Sequence, residues 1–369
     1  MIRKEFFKAL EVLANERGIE KEKILDIFAR GLLNAYKKEH QTSDNARIEF
    51  NEEKNEILLV AEYNIVEIVE NPAEISLEDA RKHRKSAKLG DVLKIKEKPN
   101  EFGRIAVSSV KQILTQGLKQ LERERNYDIF KEKENEMINT RVVQFNKDFV
   151  TLDLGQNMET SLPRKELLKS DDVFEGARLR VYVTKVDMTT KGPKVFVSRT
   201  DKNLVKRLVE QVCPEIQDGT VEIMGLARDP GDRCKIAVFS HDENVDPVGS
   251  VVGYKGSRIR EVLDALQGEK IDVYEWSKDP IDLILNALEP AKVIAVNPNK
   301  KKNFAHVIVN DKDLTSAIGK GGQNAKLAAQ SSGWKIEIKS ITQAKEEGIR
   351  YRRIDIEDTE TLDEYEDER

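Results

Sequence analysis

A chain of 369 residues is too long for one ordinary hydrophobic core and points to two to four domains. With 39% apolar and 35% charged residues, and no apolar run near the roughly 18 residues of a spanning helix, it excludes a membrane protein and predicts a cytoplasmic one. The formal charge of −5 is uneven, since the last 15 residues, Asp355–Arg369, carry −8 and leave a mildly basic body of +3, suited to local nucleic-acid contacts.

The opening segment MIRKEFFKAL mixes charge with apolar residues and lacks the continuous apolar core of a signal peptide. Ile2, Phe6, Leu10 and Leu13 recur at helical spacing. After Gly18 the stretch KEKILDIFARGLLNAYKKEH repeats the pattern with Ile24, Ile27, Phe28, Leu32 and Ala35, so two packed helices are predicted. Strand-like stretches follow at RIEF, EILLVAEYNIVEIVE and RIAVS, ahead of a charged helix from about Val110 to Phe130. Residues 1–128 therefore read as an α/β N-terminal domain ending in a long helical connector.

Between residues 136 and 200 the pattern changes to five short strands: MINTRVVQFN, FVTLDLG, METSLP, RLRVYVTKVD and KVFVSR. Five strands with brief turns fit a small barrel, and the OB fold matches in size and strand count. Arg141, Phe145 and Phe149 can form a charged stacking platform for bases there. Phe149 begins an alternating strand, so a core position is an equal alternative.

Residues 201–277 and 278–343 repeat one order of elements, αββααβ, as expected of two tandem type II KH domains. Their centres are Gly253-Tyr254-Lys255-Gly256 and Gly319-Lys320-Gly321-Gly322, offset by 66 residues. One such turn is weak information, since glycine ends helices everywhere. Two, each between helices and each holding a lysine, are specific. Glycines let a nucleic-acid backbone approach, and the following helix directs free N–H groups and its positive dipole end at phosphate. Lys255 and Lys320 add a mobile cation. KH domains clamp about four single-stranded nucleotides on such a turn.

Ser257, Arg258 and Arg260 open the first recognition helix, and Gln323, Asn324 and Lys326 open the second; all can donate to phosphates or base edges. Lys300–Lys302 lies in a hairpin of the second copy, where an RNA contact and a solvated turn are both open readings. Residues 201–343 hold 20 Lys+Arg against 21 Asp+Glu, so the isolated pair is expected to bind RNA weakly and to gain from tethering to a larger machine.

Residues 344–369, rich in charge and poor in core formers, are expected to be an acidic disordered tail. Cys213 and Cys234 show no metal-ligand spacing and read as reduced thiols. His40, His83, His241 and His306 are scattered, and no hydrolase or nucleotide-binding motif occurs. The chain is expected to be no enzyme and to need no metal or cofactor.

VVGYKGSRIREVLDALQGEKIDVYEW and AIGKGGQNAKLAAQSSGWKIEI, with ILDIFARGLLNAYKK, EISLEDARK and RIAVSSVKQIL, resemble the NusA family of bacterial transcription factors. The resemblance covers about residues 1–343, in the order N-terminal domain, OB fold of the ribosomal S-one type, KH, KH. It implies an N-terminal domain docked on the flap region of RNA polymerase near the RNA exit channel. The remaining domains would then guide nascent single-stranded RNA in pausing, termination and antitermination, with other Nus factors as further partners. The chain is expected to act as a monomer. Some family members continue into two acidic helical repeats, which this sequence does not show, and autoinhibition by the short acidic tail is a hypothesis. A free-standing RNA-binding protein, such as an RNA chaperone or a decay or translation factor, explains the OB and KH segments equally but leaves the N-terminal domain unexplained.

Overall fold

The computed structural model describes residues 6–41, 44–54, 56–97 and 104–354. Ile2 and the acidic stretch Asp355–Arg369 lie outside the described residues. The chain divides into two compact units, residues 1–132 with 187–194, and residues 133–186 with those from 195 onward.

In the first unit, α1 (Phe6–Arg17) ends at Gly18, whose φ of 58° stops the helix, and α2 (Lys21–His40) follows. The sheet has β2 (Glu56–Val66) at its centre, antiparallel to β1 (Ala46–Asn51) and β4 (Val92–Glu97) and parallel to β3 (Glu74–Ser76). Leu32, Ala35 and Tyr36 of α2 cover Ile57, Leu59 and Ala61 of β2, as their helical spacing requires. Helix α3 (Leu77–His83) starts at a Ser76 cap. Helix α4 (Arg104–Lys131) lies against α2 where Gly117 meets Ile27; a Cβ at Gly117 would sit 2.5 Å from Ile27 Cγ2.

Two sequence expectations are corrected here. RIAVS is the first turn of α4, not a strand, because its brief alternation is continued by Leu114, Leu118 and Leu121, which pack on Leu10, Ala14 and Ile24 at helical spacing. The strand preceding that helix is instead VLKIKE, β4.

The second unit opens with β5 (Met137–Phe145), β6 (Phe149–Gly155), β7 (Met158–Pro163), β8 (Arg178–Thr189) and β9 (Gly192–Ser198), paired in the order β7-β6-β5-β8-β9. This is the five-stranded, nearly closed OB-like barrel expected from the sequence. The Thr160 hydroxyl donates to the Val195 carbonyl at 2.5 Å, linking β7 to β9 at the two ends of that path. Val142, Val150, Leu152, Leu162 and Val181 fill the interior.

Two αββααβ modules follow. The first comprises α5 (Lys202–Val212), the single turn α6 (Pro214–Gln217), β10 (Val221–Asp229), β11 (Arg233–Ser240), α7 (Pro247–Val252), α8 (Ser257–Ala265) and β12 (Lys270–Glu275). The second comprises α9 (Pro280–Leu288), β13 (Val293–Asn299), β14 (Phe304–Val309), α10 (Leu314–Ile318), α11 (Gln323–Ser332) and β15 (Lys335–Ser340). In each the first two strands are antiparallel and the third runs parallel to the second. Aspartates cap the helices that begin the modules, Asp201 on α5 and Asp279 on α9.

Residues 344–354 are packed, not disordered as expected; the rest of the expected tail, 355–369, lies outside the described residues. Helix α12 (Ile341–Glu346) starts at a Ser340–Gln343 capping box. Ala344, Ile349 and Tyr351 then pack with Ala295 and Ile308, and the Ile354 N–H donates to the Ile294 carbonyl at 2.9 Å. The charges of this stretch conceal three apolar side chains that cover one face of the β13–β14 pair, while the backbone bond satisfies an acceptor on the edge strand.

Candidate nucleic-acid interface

Both Gly-x-x-Gly turns take the same shape. Gly253 and Gly319 end α7 and α10 with φ/ψ of 76°/169° and 75°/170°. A single 3₁₀ turn follows, and Gly256 and Gly322 start α8 and α11 at φ 74° and 77°. The first glycine of each turn is needed for packing as well as for backbone angle. A Cβ at Gly253 would lie 2.8 Å from Arg258 Cγ, and one at Gly319 would lie 2.8 Å from the Asn324 nitrogen. The last glycine faces open space: a Cβ at Gly322 would meet nothing, and at Gly256 only Ile259 Cγ2 at 3.8 Å. Close approach by a ligand is therefore possible on that side.

No side chain caps α8 or α11; the Ser257 and Gln323 N–H groups donate to the Tyr254 and Lys320 carbonyls of their own turns, and the positive dipole end of each helix carries no side-chain acceptor. Tyr254 is 82% exposed at the tip of the first turn, with Lys255 Nζ 5.4 Å from its ring centroid. Lys255 holds φ 49°, a conformation that Gly321 takes at φ 61° in the second turn. Lys320, Arg260 and Lys326 are exposed, and among the described residues none of them forms an ion pair. Arg260 reaches only its own turn, with Nη2 3.5 Å from the Lys255 carbonyl. Lys300–Lys302 is exposed on the β13–β14 hairpin.

Three of the predicted contact residues are engaged elsewhere. Arg258 donates through Nη1 to Glu215 Oε2 at 2.7 Å and to the Ser250 carbonyl at 2.6 Å. Burial works to raise the Glu215 carboxyl, but hydrogen bonds from its own backbone, Arg258 and Cys213 hold it below the usual carboxylate value. Asn324, the equivalent position in the second module, is buried and donates to the Leu288 and Ala317 carbonyls at 3.1 and 3.0 Å. Gln323 donates to Asp229 and Asp232 of the first module at 2.7 and 3.0 Å. Arg258 and Asn324 thus brace the turns from below, and Gln323 bridges the modules.

Other contacts between the modules are equally close. The Tyr274 hydroxyl donates to Ser331 Oγ at 2.8 Å, and buried Lys235 donates to the Glu289 carbonyl at 2.9 Å. A Cβ at Gly225 would lie 1.9 Å from the Ser331 carbonyl oxygen. Helix α11 is therefore seated directly on β10, and the two turns belong to one packed body. Nothing in local periodicity signals this interface.

In the barrel, Phe149 lies on the outer face, 37% exposed, near the β5–β6 hairpin. Phe145 is there too, beneath the Arg164 guanidinium at 5.8 Å from its ring centroid. Arg164, which the sequence reading missed, is tied to the Asn146 carbonyl at 2.9 Å. Arg141 is not part of this cluster: its cross-strand partner on β6 is Asp153, four residues and about 13 Å along the strand from Phe149.

The remaining chemistry is structural. Cys213 and Cys234 are buried free thiols, the latter pushed up to about 12 by burial. Among the described residues no group of three His, Cys, Asp or Glu side chains is placed to hold a metal, and no helix is long and apolar enough to cross a membrane.

Comparison with known families decides the assignment. Residues 5–124 match the NusA N-terminal domain, residues 199–276 the NusA-like first KH domain, and residues 280–346 the NusA-like second KH domain. The transcription termination/antitermination protein NusA of Bacillus subtilis (strain 168) is 43% identical over 97% of this chain and 96% of its own. The chain belongs to the NusA family. The NusA protein of Thermus thermophilus is 39% identical over 91% of this chain and 89% of its own. The solution structure of the B. subtilis NusA N-terminal domain is 35% identical, covering 33% of this chain and 99% of that domain at a TM-score of 0.26. Family members thus named act in transcription termination and antitermination, and KH domains bind RNA. The N-terminal match disfavours a free-standing RNA-binding protein, which has no use for that domain.

Proposed function

We propose that this NusA-family chain rides on bacterial RNA polymerase and grips nascent single-stranded RNA, modulating pausing, termination and antitermination. The observation that carries the reading is the pair of open turns: two uncapped helix N-termini with exposed Lys255 and Lys320 beside them, held in one packed body. Gly253–Gly256 and Gly319–Gly322 contact the RNA backbone, with Ser257, Arg260 and Lys326 alongside. Phe149, Phe145 and Arg164 offer a second, stacking contact on the barrel. The near-neutral KH pair needs a high local RNA concentration, which docking of residues 1–128 on the flap region beside the RNA exit channel supplies. In this reading the chain works as a monomer in the cytoplasm with other Nus factors, and carries no catalytic group.

Co-purification with core RNA polymerase tests it. The full chain is expected to bind and a chain lacking residues 1–128 to lose binding. A full chain that fails to bind would overturn polymerase docking.

A further inference from the structure

The paired strands β5 and β8 of the barrel and the end of α8 line a cleft of about 960 Å³ that the turns do not use. Its floor is the outer face of two paired strands. Arg141 stands directly opposite Arg178 in the register, and Arg180 opposite Asn139. Like charges at directly paired positions repel, so an arginine pair there is unfavourable unless something neutralises it. Among the described residues neither Arg141 nor Arg178 forms an ion pair. Arg180 Nη1 is buried without a hydrogen-bond partner, and its Nη2 is 3.9 Å from Glu261. Asp153, on the other side of Arg141, already accepts the Gly155 N–H at 2.8 Å.

The cleft is also held rigidly. Arg199, 1% exposed, pairs with Asp171 and donates to the Arg180 carbonyl at 2.8 Å and the Ala265 carbonyl at 3.2 Å. It therefore joins the barrel to the C-terminal end of α8 and covers carbonyls whose negative dipole end would otherwise repel an anion. Asp172 N–H donates to Gln267 Oε1 at 2.9 Å, a second tie between the same elements. Glu261 and Asp264 on α8 form the opposite wall, placed to accept from sugar hydroxyls or base amino groups.

We propose that this cleft is a third RNA contact, in which Arg141, Arg178 and Arg180 hold a backbone phosphate of the strand gripped by the first turn. The inference rests on the RNA-binding reading above and extends it. Helix α8 joins the two places: Ser257 at its start belongs to the turn, and Ala265 at its end lines the cleft, about 13 Å away. A strand running along α8 passes from one to the other.

The test uses the full chain and two RNAs of one sequence. The short one has about four nucleotides, enough for one clamp and no more, and the long one about three times that. Arg178→Ala should weaken binding of the long strand about threefold to tenfold, and Arg178→Glu more. The slope of log affinity against log salt should fall by about 0.7 for the one phosphate no longer neutralised. Binding of the short strand should not change. Unchanged affinity for the long strand, or equal weakening for both lengths, would overturn the cleft contact. Failure of the unaltered chain to bind the short strand would count against the turns themselves, and is seen separately from the variant's effect on the long strand.

Discussion

Gly225 of β10 and Ser331 of α11 are in van der Waals contact across the two KH modules, and no side chain larger than hydrogen fits at Gly225. Because a Cβ there would lie 1.9 Å from a backbone oxygen, the helix itself would have to move. Gly225→Ala should cost about 1–3 kcal/mol by overpacking. It should also weaken RNA long enough to span both turns more than RNA that fits one. Thermal melting together with binding of the two lengths checks this, and an unchanged melt would mean the modules are not held there.

Two arginines two residues apart should behave oppositely. Arg258→Ala removes the bonds to Glu215 and the Ser250 carbonyl and should lower stability by about 1 kcal/mol, given the partly exposed pair. Arg260→Ala should leave the melt unchanged and reduce RNA affinity. The same contrast is expected between Asn324→Ala, which removes two buried hydrogen bonds at a cost of about 1–3 kcal/mol, and Lys326→Ala. A loss of RNA affinity without loss of stability for Arg258→Ala would contradict its bracing role.

Replacing Tyr254-Lys255 and Lys320-Gly321 together with Asp pairs should abolish most RNA affinity while the fold persists. All four residues are exposed, and Asp tolerates the left-handed conformation that Gly321 requires. The salt slope should fall by about 0.7 for each phosphate that the variant no longer binds. Filter binding across a salt series reads both numbers, and full affinity in a folded quadruple variant would remove the turns from the mechanism.

Alkaline pH offers a probe of the interface through Lys235. Burial lowers its ammonium below the usual lysine value of 10.5, against the opposing pull of Asp272. Between that lowered value and 10.5 the unfolded chain binds more protons than the folded one, so this group makes stability rise with pH in that window. Lys235→Met should remove the rise. Denaturant unfolding of parent and variant at about pH 7 and about pH 9.5 measures it; parallel pH dependences would show that Lys235 is charged without penalty.

Most of the second unit was legible because its signals are local. Short alternating runs between turns marked β5 to β9, and the 66-residue repeat exposed the KH modules without any knowledge of packing. RIAVS misled because five residues of alternation do not distinguish a strand from the first turn of a helix. Residues 344–354 misled because Ile349, Tyr351 and Ile354 are too sparse to outweigh their charged neighbours until the uncovered β13–β14 face is seen.

The sequence by itself determined where RNA is expected to meet the chain, since glycine spacing and helix starts are properties of a few consecutive residues. It also held an unused clue: Arg258 and Asn324 each lie four residues before a buried position, Val262 and Ala328, and so share the core face of their helices. Only the tertiary structure decided which cations are left for RNA, that α11 is seated on β10, and that Arg141 faces Arg178. Gly225 and Ser331 are 106 residues apart in the sequence, and Arg141 and Arg178 are 37 apart. Such contacts are chosen by how whole surfaces pack, which no periodicity along the chain encodes.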